Sequence, residues 1–467
     1  MLTKKQYSLL LLTCVSGLAM GQSNLYSSKD SYIDSSDNVY YSAPVAKTTS
    51  GNTGVIRTVK YDLNGNLIVA DDYSLNTTWN HRVAQVKVDS SGNIYVAGDA
   101  YPTTNNEDIW FLIKYSSTGA MLWNVGYNTQ AYVNGAVGGM DIDNNGNVYV
   151  VGKGNHALYT GYESRLLKFS ASTGSLLVDQ QIAPYQDTEI SSVIFDSSRQ
   201  LLDLGGVVGV SHTTTADTPY AGCFNLSLAL AYTALGWSPS GTPVQLGGFC
   251  LDNSGNLLLA CFTATNVTSN CVVEEFQQET APERLGLSWS VYPTVDPVGV
   301  SVSPSGNMFL GGYSNTRSSF EIYRLSGNDT GPTFMYGTPQ SSGTYQDTNY
   351  PTGLAVTPGG DAILAGSSYN SITGNYDLWV NLGYISSSGG SSFDYDFGNG
   401  TVGDGVLPGN PVVETTANSN VVYCTCQAQE VVNGSVVLVP AVVKINLLNT
   451  STPVWAHFQP TDFWGNY

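Results

Sequence analysis

Nine residues have the types and settings to meet a ligand: Tyr101, His156, Tyr159, Tyr162, His212, Tyr220, Tyr350, Tyr369 and Tyr376. A phenol ring stacks on a sugar face or anchors a protein side chain, and amides beside it fix orientation. These residues stand in stretches rich in Tyr, Asn and Thr, at 101–107, 155–163, 211–220, 344–350 and 368–376. Histidine adds the option of acid–base or metal chemistry. The four histidines, His81, His156, His212 and His457, show no ligand spacing, so the pattern points to binding rather than turnover. No Gly-x-Ser-x-Gly elbow, sialidase-type Asp box or phosphate loop is present. Asp141-Ile-Asp143-Asn-Asn145-Gly146 opens like a calcium loop, but Gly152 stands where a bidentate Glu belongs. The sequence therefore asks for no metal and no cofactor.

The elements that must carry these residues repeat. The phrase VDSSGNIYVAG at 88–98 returns as IDNNGNVYVVG at 142–152, LDNSGNLLLAC at 251–261 and VSPSGNMFLGG at 302–312. Weaker copies stand at 33–43, 195–205, 356–366 and 415–425. The turn's first residues are Asp34, Asp89, Asp143, Asp196, Asp252, Ser303, Thr357 and Thr416, spaced 51 to 59 residues apart. A fixed period of this size means one supersecondary unit repeated. Asp or Ser starts the turn by accepting a backbone N–H two residues on. Gly92, Gly146, Gly255 and Gly306 then supply positive φ.

Each unit reads as four antiparallel strands, a to d, because two further apolar runs follow each phrase, as at 108–115 and 121–125. A lone four-stranded meander leaves its faces bare, and radial stacking buries them. The expected fold is all-β: one propeller of eight blades, with seven as the alternative. Inner strands carry small residues, such as Ala136-Val-Gly-Gly139 and Leu246-Gly-Gly248, and outer strands carry Trp123, Trp237, Trp289, Phe334, Phe393 and Trp455. Lys60, Lys114, Lys168, Arg324 and Lys444 recur on strand c and so serve the fold or solvation. The b–c and d–a connections do not repeat, and in a propeller they share one face. That face is the expected binding face.

The phrase D-x-x-G-N-(I/V)-Y-V-x-G, with the pairs Lys60-Tyr61, Lys114-Tyr115 and Lys168-Phe169, resembles the bacterial β-propeller repeats often called SBBP. The resemblance spans nearly all of the chain beyond its first residues and implies a secreted or surface propeller of unspecified activity. The fourth repeat departs from it with Arg199-Gln200 for Gly-Asn, and the fifth places Glu275-Phe276 at the Lys pair.

Residues 1–21 read as a secretory signal peptide: Lys4 and Lys5, an apolar run from Tyr7 to Met20, and small residues before Gln22. Residues 22–467 then form the single propeller domain, outside the cell or at its surface. The chain carries a net charge of −19, which disfavours nucleic acid and anionic membrane surfaces. Charged residues make up only 11 %, so the surface is mostly uncharged polar, and neutral glycan or protein is the expected partner. Beyond Cys14 there are six cysteines, an even number that permits disulfides. Cys261 and Cys271 flank one hairpin loop and are candidates for a cross-strand bond. Cys424 and Cys426 share a strand face and cannot readily bond each other. The leading reading is a binding or structural module. The alternative is a glycan-cleaving lyase or hydrolase with its site at the channel mouth.

Overall fold

In the computed structural model, eight four-stranded antiparallel blades stand in a ring. The described residues are 15–16, 30–45, 54–102, 107–156, 162–182, 187–209, 217–236, 244–263, 270–280, 283–291, 295–314, 319–325, 333–337, 345–370, 375–383, 390–395, 405–406, 412–416, 420–432, 435–448 and 453–458. Blade one comprises Asp30–Ile33, Val39–Val45, Val55–Tyr61 and Leu67–Tyr73, and blade eight comprises Val412–Thr415, Val421–Val432, Ser435–Asn446 and Trp455–Phe458. Each blade is complete within its own repeat. The first blade therefore meets the last without exchanging a strand.

The core lies between blades. Eight buried apolar clusters each draw on two neighbouring blades, from blades one and two around Tyr40 and Val86 to blades eight and one around Tyr423 and Tyr41. A ring closed by the last of these clusters leaves no blade face bare.

The repeated letters have physical jobs. Asp89 Oδ1 accepts from the N–H groups of Ser91 and Asn93, both at 2.9 Å. Its Oδ2 accepts from Asn93 Nδ2 at 2.8 Å and the Tyr95 hydroxyl at 3.1 Å. Asp34 with Asn38 and Tyr40, and Asp143 with Asn147 and Tyr149, repeat the arrangement. With its oxygens engaged in this way, Asp143 serves the turn, as the repeat implies. The strand c lysine lies over the same tyrosine ring and reaches the next blade. Lys114 Nζ is 4.9 Å from the Tyr95 ring centre and donates to the Ala171 carbonyl at 3.0 Å. Lys168 donates likewise to Leu226, and Lys444 joins blade eight to Leu63 of blade one. The recurrent lysines are thus clamps between blades.

Gly146 sits at φ +79° with the Ala171 methyl 3.2 Å from where a Cβ would stand. Gly146→Val should cost about 1–2 kcal/mol through backbone strain. Asn124→Val on the exposed outer strand should be near neutral. Equal shifts in urea midpoint would refute the turn assignment.

Inner strands meet in two ways. In blades five to seven a glycine lets the inner strands close up: a Cβ on Gly248 would lie 2.6 Å from Val300 N, and one on Gly299 2.9 Å from the Leu354 Cβ. In blades one and two a side chain bridges instead. Asp30 accepts from Val86 N at 2.9 Å, and Gln85 accepts from Met140 N at 2.6 Å. The inner strand also carries a bulge in six blades, at Ala84, Gly138, Ser191, Gly247, Val298 and Thr352.

Two sequence expectations need correction. Register sets Cys271 opposite Phe262 and Cys261 opposite Val272, so the two thiols fall on opposite faces of blade five. They belong to different inter-blade cores and cannot bond, and none of the six cysteines forms a disulfide. The Tyr127-Asn-Thr-Gln130 stretch reads from its composition as one of the d–a loops, yet it lies in a continuous strand, Met121–Ile142, which is strand d of blade two and strand a of blade three. Residues 23–28, which the sequence offers as an added edge strand at the seam of the ring, lie outside the described residues.

Candidate functional site

Strands run further into the variable face than the sequence suggests. Tyr101 is the penultimate residue of strand b in blade two (Ile94–Pro102), and Tyr162 opens strand c in blade three (Tyr162–Phe169). His156 ends strand b of blade three. Tyr350, Tyr369 and Tyr376 all lie in strands of blade seven, where Tyr369 and Tyr376 are backbone partners. Tyr159 and His212 lie outside the described residues. Tyr220 is buried in the core between blades three and four, and burial pushes its hydroxyl up to about 12. The described members of the set therefore divide between blades two to four and blade seven.

Around Tyr101 the structure assembles charges that no motif announced. Arg82, on the inner strand Trp79–Val88, pairs in register with Asp99 of strand b. Its Nη2 lies 2.6 Å from Asp99 Oδ2 and 2.9 Å from the Gly135 carbonyl of blade three, and its Nε donates to Asp99 Oδ2 at 2.7 Å. The guanidinium carbon lies 5.1 Å from the Tyr101 ring centre. Arg82 is 32 % exposed and Asp99 only 2 %. A guanidinium has five donors. Two of Arg82's, both on Nη1, have no partner among the described residues.

Asp108 completes this corner. Burial is the main force on its carboxyl and the charge of Asp99 adds to it, against Arg82 and the Gly135 N–H, so that it titrates at about 7. Asp99 is also raised by burial, which outweighs its pairing with Arg82. The Gly135 peptide is held at both ends, its carbonyl by Arg82 and its N–H by Asp108.

The next blade carries a second such corner. Lys153 Nζ lies 4.5 Å from the Tyr162 ring centre and is paired with Glu189 of blade four. Tyr162 N donates to Asp187 at 2.7 Å. Burial first, then Glu189 and Asp187, raise the Tyr162 hydroxyl. Asp99 and Lys153 occupy the same place in their blades, directly after the repeated glycine. In a chain so poor in charge, that interruption was the available signal.

Comparison with known proteins adds no chemistry. No family model matches the chain, and no curated protein does. Solved structures that align with it include a polysaccharide lyase at 9 % identity, covering 76 % of this chain and 89 % of that one with a TM-score of 0.48. A puromycin hydrolase aligns at 10 % identity over 81 % of this chain and 54 % of its own, with a TM-score of 0.45. A protein from Lactobacillus plantarum aligns at 14 % identity, over 79 % and 99 %, with a TM-score of 0.42. The alignment spans about half the length of the hydrolase chain. These are likenesses of fold alone.

Among the described residues no group of three or more His, Cys, Asp or Glu is arranged to hold a metal. His81 is buried and structural, with its Nε2 accepting from Leu75 N at 3.1 Å. His457 stacks on Tyr61, 5.1 Å between ring centres, at the seam between blades eight and one. No helix of the described residues is long and apolar enough to cross a membrane.

Proposed function

We propose that the chain is a secreted or surface-exposed binding module that takes an extended neutral glycan across the variable face of blades two to four. The observation that carries this reading is the pair of corners in consecutive blades. Each sets a half-buried tyrosine beside a cation fixed by a carboxylate: Tyr101 with Arg82 and Asp99, Tyr162 with Lys153 and Glu189. Such corners offer a rigid ring edge, donors and acceptors at little ordering cost. Sugar hydroxyls need that mixture. The acidic chain disfavours polyanions, nucleic acid among them.

The test is binding of the protein lacking residues 1–21 to a panel of soluble neutral polysaccharides: glucans, mannans, xylans and galactans. Tyr101→Ala with Tyr162→Ala should weaken binding at least tenfold. The comparison is Tyr95→Ala, which removes a buried ring of the repeated turn and should lower the melting temperature. A panel without a single binder defeats the reading, as does a double variant that binds like the parent. Release of reducing ends or unsaturated sugars during the same assay would favour the glycan-cleaving alternative.

A further inference from the structure

We propose that the axial edge of blade five is a peptide-acceptor site: once residues 1–21 are cut away, it takes an extended, uncharged segment of a partner polypeptide by strand addition inside the central channel. The site is separate from the corners of the variable face and does not depend on the glycan reading.

The structure holds a short segment of the chain on this edge. Val15–Ser16 pairs antiparallel with the inner strand of blade five, Val244–Leu251, with Val15 opposite Phe249 and Ser16 opposite Gly248. The same two residues lie beside the inner strands of blades six and seven. Blade five thereby becomes a five-stranded sheet with its added strand at the axis.

The choice of blade has a local cause. An inner strand is paired on one side only, so every second residue turns its N–H and C=O toward the axis. Asp252 N donates to the Asn256 carbonyl at 2.9 Å across the hairpin, and the register then runs back without a shift to Phe249. Alternation therefore turns Phe249, three residues before Asp252, to the axis.

Blades two and three cap the matching N–H with a side chain. Val86 N, three before Asp89, donates to Asp30 at 2.9 Å, and Met140 N, three before Asp143, donates to Gln85 at 2.6 Å. Each cap stands four residues before the turn of the preceding blade. Blade four offers Ser192 in that place. A serine oxygen sits one bond nearer its backbone than that of Asp and two nearer than that of Gln. The Ser192 hydroxyl is fully buried and has no partner. In blades five to seven the capping place holds Gly248, Gly299 and Gly353, and the strands close up instead. A Cβ on Gly353 would lie 3.1 Å from Val413 N. At blade five neither device operates, and the edge is met by a peptide.

The surroundings set the chemistry of the guest. Residues 244–251, 297–302 and 351–356, on the inner strands of blades five to seven, include no charged side chain. The pair Lys87 and Asp141, 3.6 Å apart, belongs to the inner strands of blades two and three. A charged guest side chain would be buried on the glycine side without a partner. Main-chain bonds supply the affinity, as in other strand additions.

The probe is a synthetic peptide spanning residues 11–20 with Cys14→Ser. Hydrogen exchange over 246–251 is read in the full chain, in the protein lacking residues 1–21, and in the full chain with Val15→Pro and Ser16→Pro. Proline removes the N–H that strand pairing needs. Blade five keeps its own four strands in all three, so the ring does not depend on the segment. The full chain should exchange at this edge at least tenfold more slowly than the other two, with residues 139–142 of blade three unchanged in all. Millimolar peptide should restore the protection to the shortened protein, and the same peptide with both prolines should not. Equal exchange in the full chain and its proline variant overturns the pairing. A peptide that gives the shortened protein no protection, or protects equally with its prolines, overturns the acceptor site. Either result leaves the glycan reading intact.

Discussion

Replacing Arg199 with methionine should lower stability by about 3–5 kcal/mol, the largest loss expected from a single side chain in this ring. The fourth repeat breaks the turn pattern here. Arg199 and Gln200 replace Gly and Asn, and Gln200 takes positive φ. Arg199 does the work of the missing Asn: its Nε lies 2.5 Å from Asp196 Oδ2, and its Nη2 lies 2.5 Å from Asp203 Oδ2. Asp203 is fully buried and also accepts from the Cys223 thiol at 2.8 Å. Removing the guanidinium leaves two carboxylates with no cation between them. Methionine keeps the volume, so the loss reports charge and not a cavity.

The same network has a pH signature. Burial pushes Asp203 up to about 6, against the pull of Arg199 and the Cys223 thiol. A carboxyl whose folded pKa lies above its unfolded value binds its proton more tightly when folded. Its effect therefore favours the fold as pH drops through 6 toward 4, and costs stability above that window. In Arg199→Met the pull that lowers this pKa is gone, so the window widens upward. Urea unfolding at pH 7.5 and pH 5 should show the variant's deficit shrinking at the lower pH. A deficit that is the same at both values would place the effect elsewhere.

The sequence carried the ring because the ring's rules are local. A turn that needs Asp, Gly and Asn at fixed offsets shows itself in any single repeat, and eight copies gave the blade number directly. Even the departure at Arg199-Gln200 was visible, though not its partners, because Asp203 and Cys223 sit where other blades place ordinary core residues. The lysine clamps were half legible. Lys114 and Lys168 recur, but their acceptors at Ala171 and Leu226 lie in the next blade, more than fifty residues away. The candidate site was least legible. Tyr101 and Tyr162 stood out by composition, whereas Arg82, Asp108 and Glu189 gain meaning only when neighbouring blades are juxtaposed. Tyr220 shows the converse, since an aromatic beside a polar loop turned out to fill the core. The Cys261 and Cys271 pairing failed for want of register, which one residue of slip reverses.

Bulges were invisible for the same reason, and they lead to the second large effect. The phrase ends in glycine in most repeats, and nothing in the sequence says why. The structure gives the reason at Gly98. Its inner-strand partner is Val83, beside the bulge at Ala84, and the bulge tips the Arg82 carbonyl toward strand b. A Cβ on Gly98 would lie inside contact distance of that oxygen and 2.6 Å from the Phe111 ring. Neither backbone nor packed ring can yield cheaply, so Gly98→Val should cost about 3 kcal/mol. Gly126→Val, on the outer strand of the same blade, meets only the Ile109 methyl at 3.2 Å and should stay within about 0.5 kcal/mol of the parent. Ala43 and Thr425 take this place in blades one and eight, and among the six blades with the bulge the exception is Cys261 in blade five, across from Leu246-Gly247-Gly248, so the requirement belongs to the individual bulge and not to the repeat as such. Because the displaced oxygen is Arg82's own, Gly98→Val should also move the Tyr101 corner and weaken glycan binding below the melting transition. Equal melting shifts for the two glycine variants would mean that the bulge does not hold strand b close, and that the position of Arg82 is set by Asp99 alone.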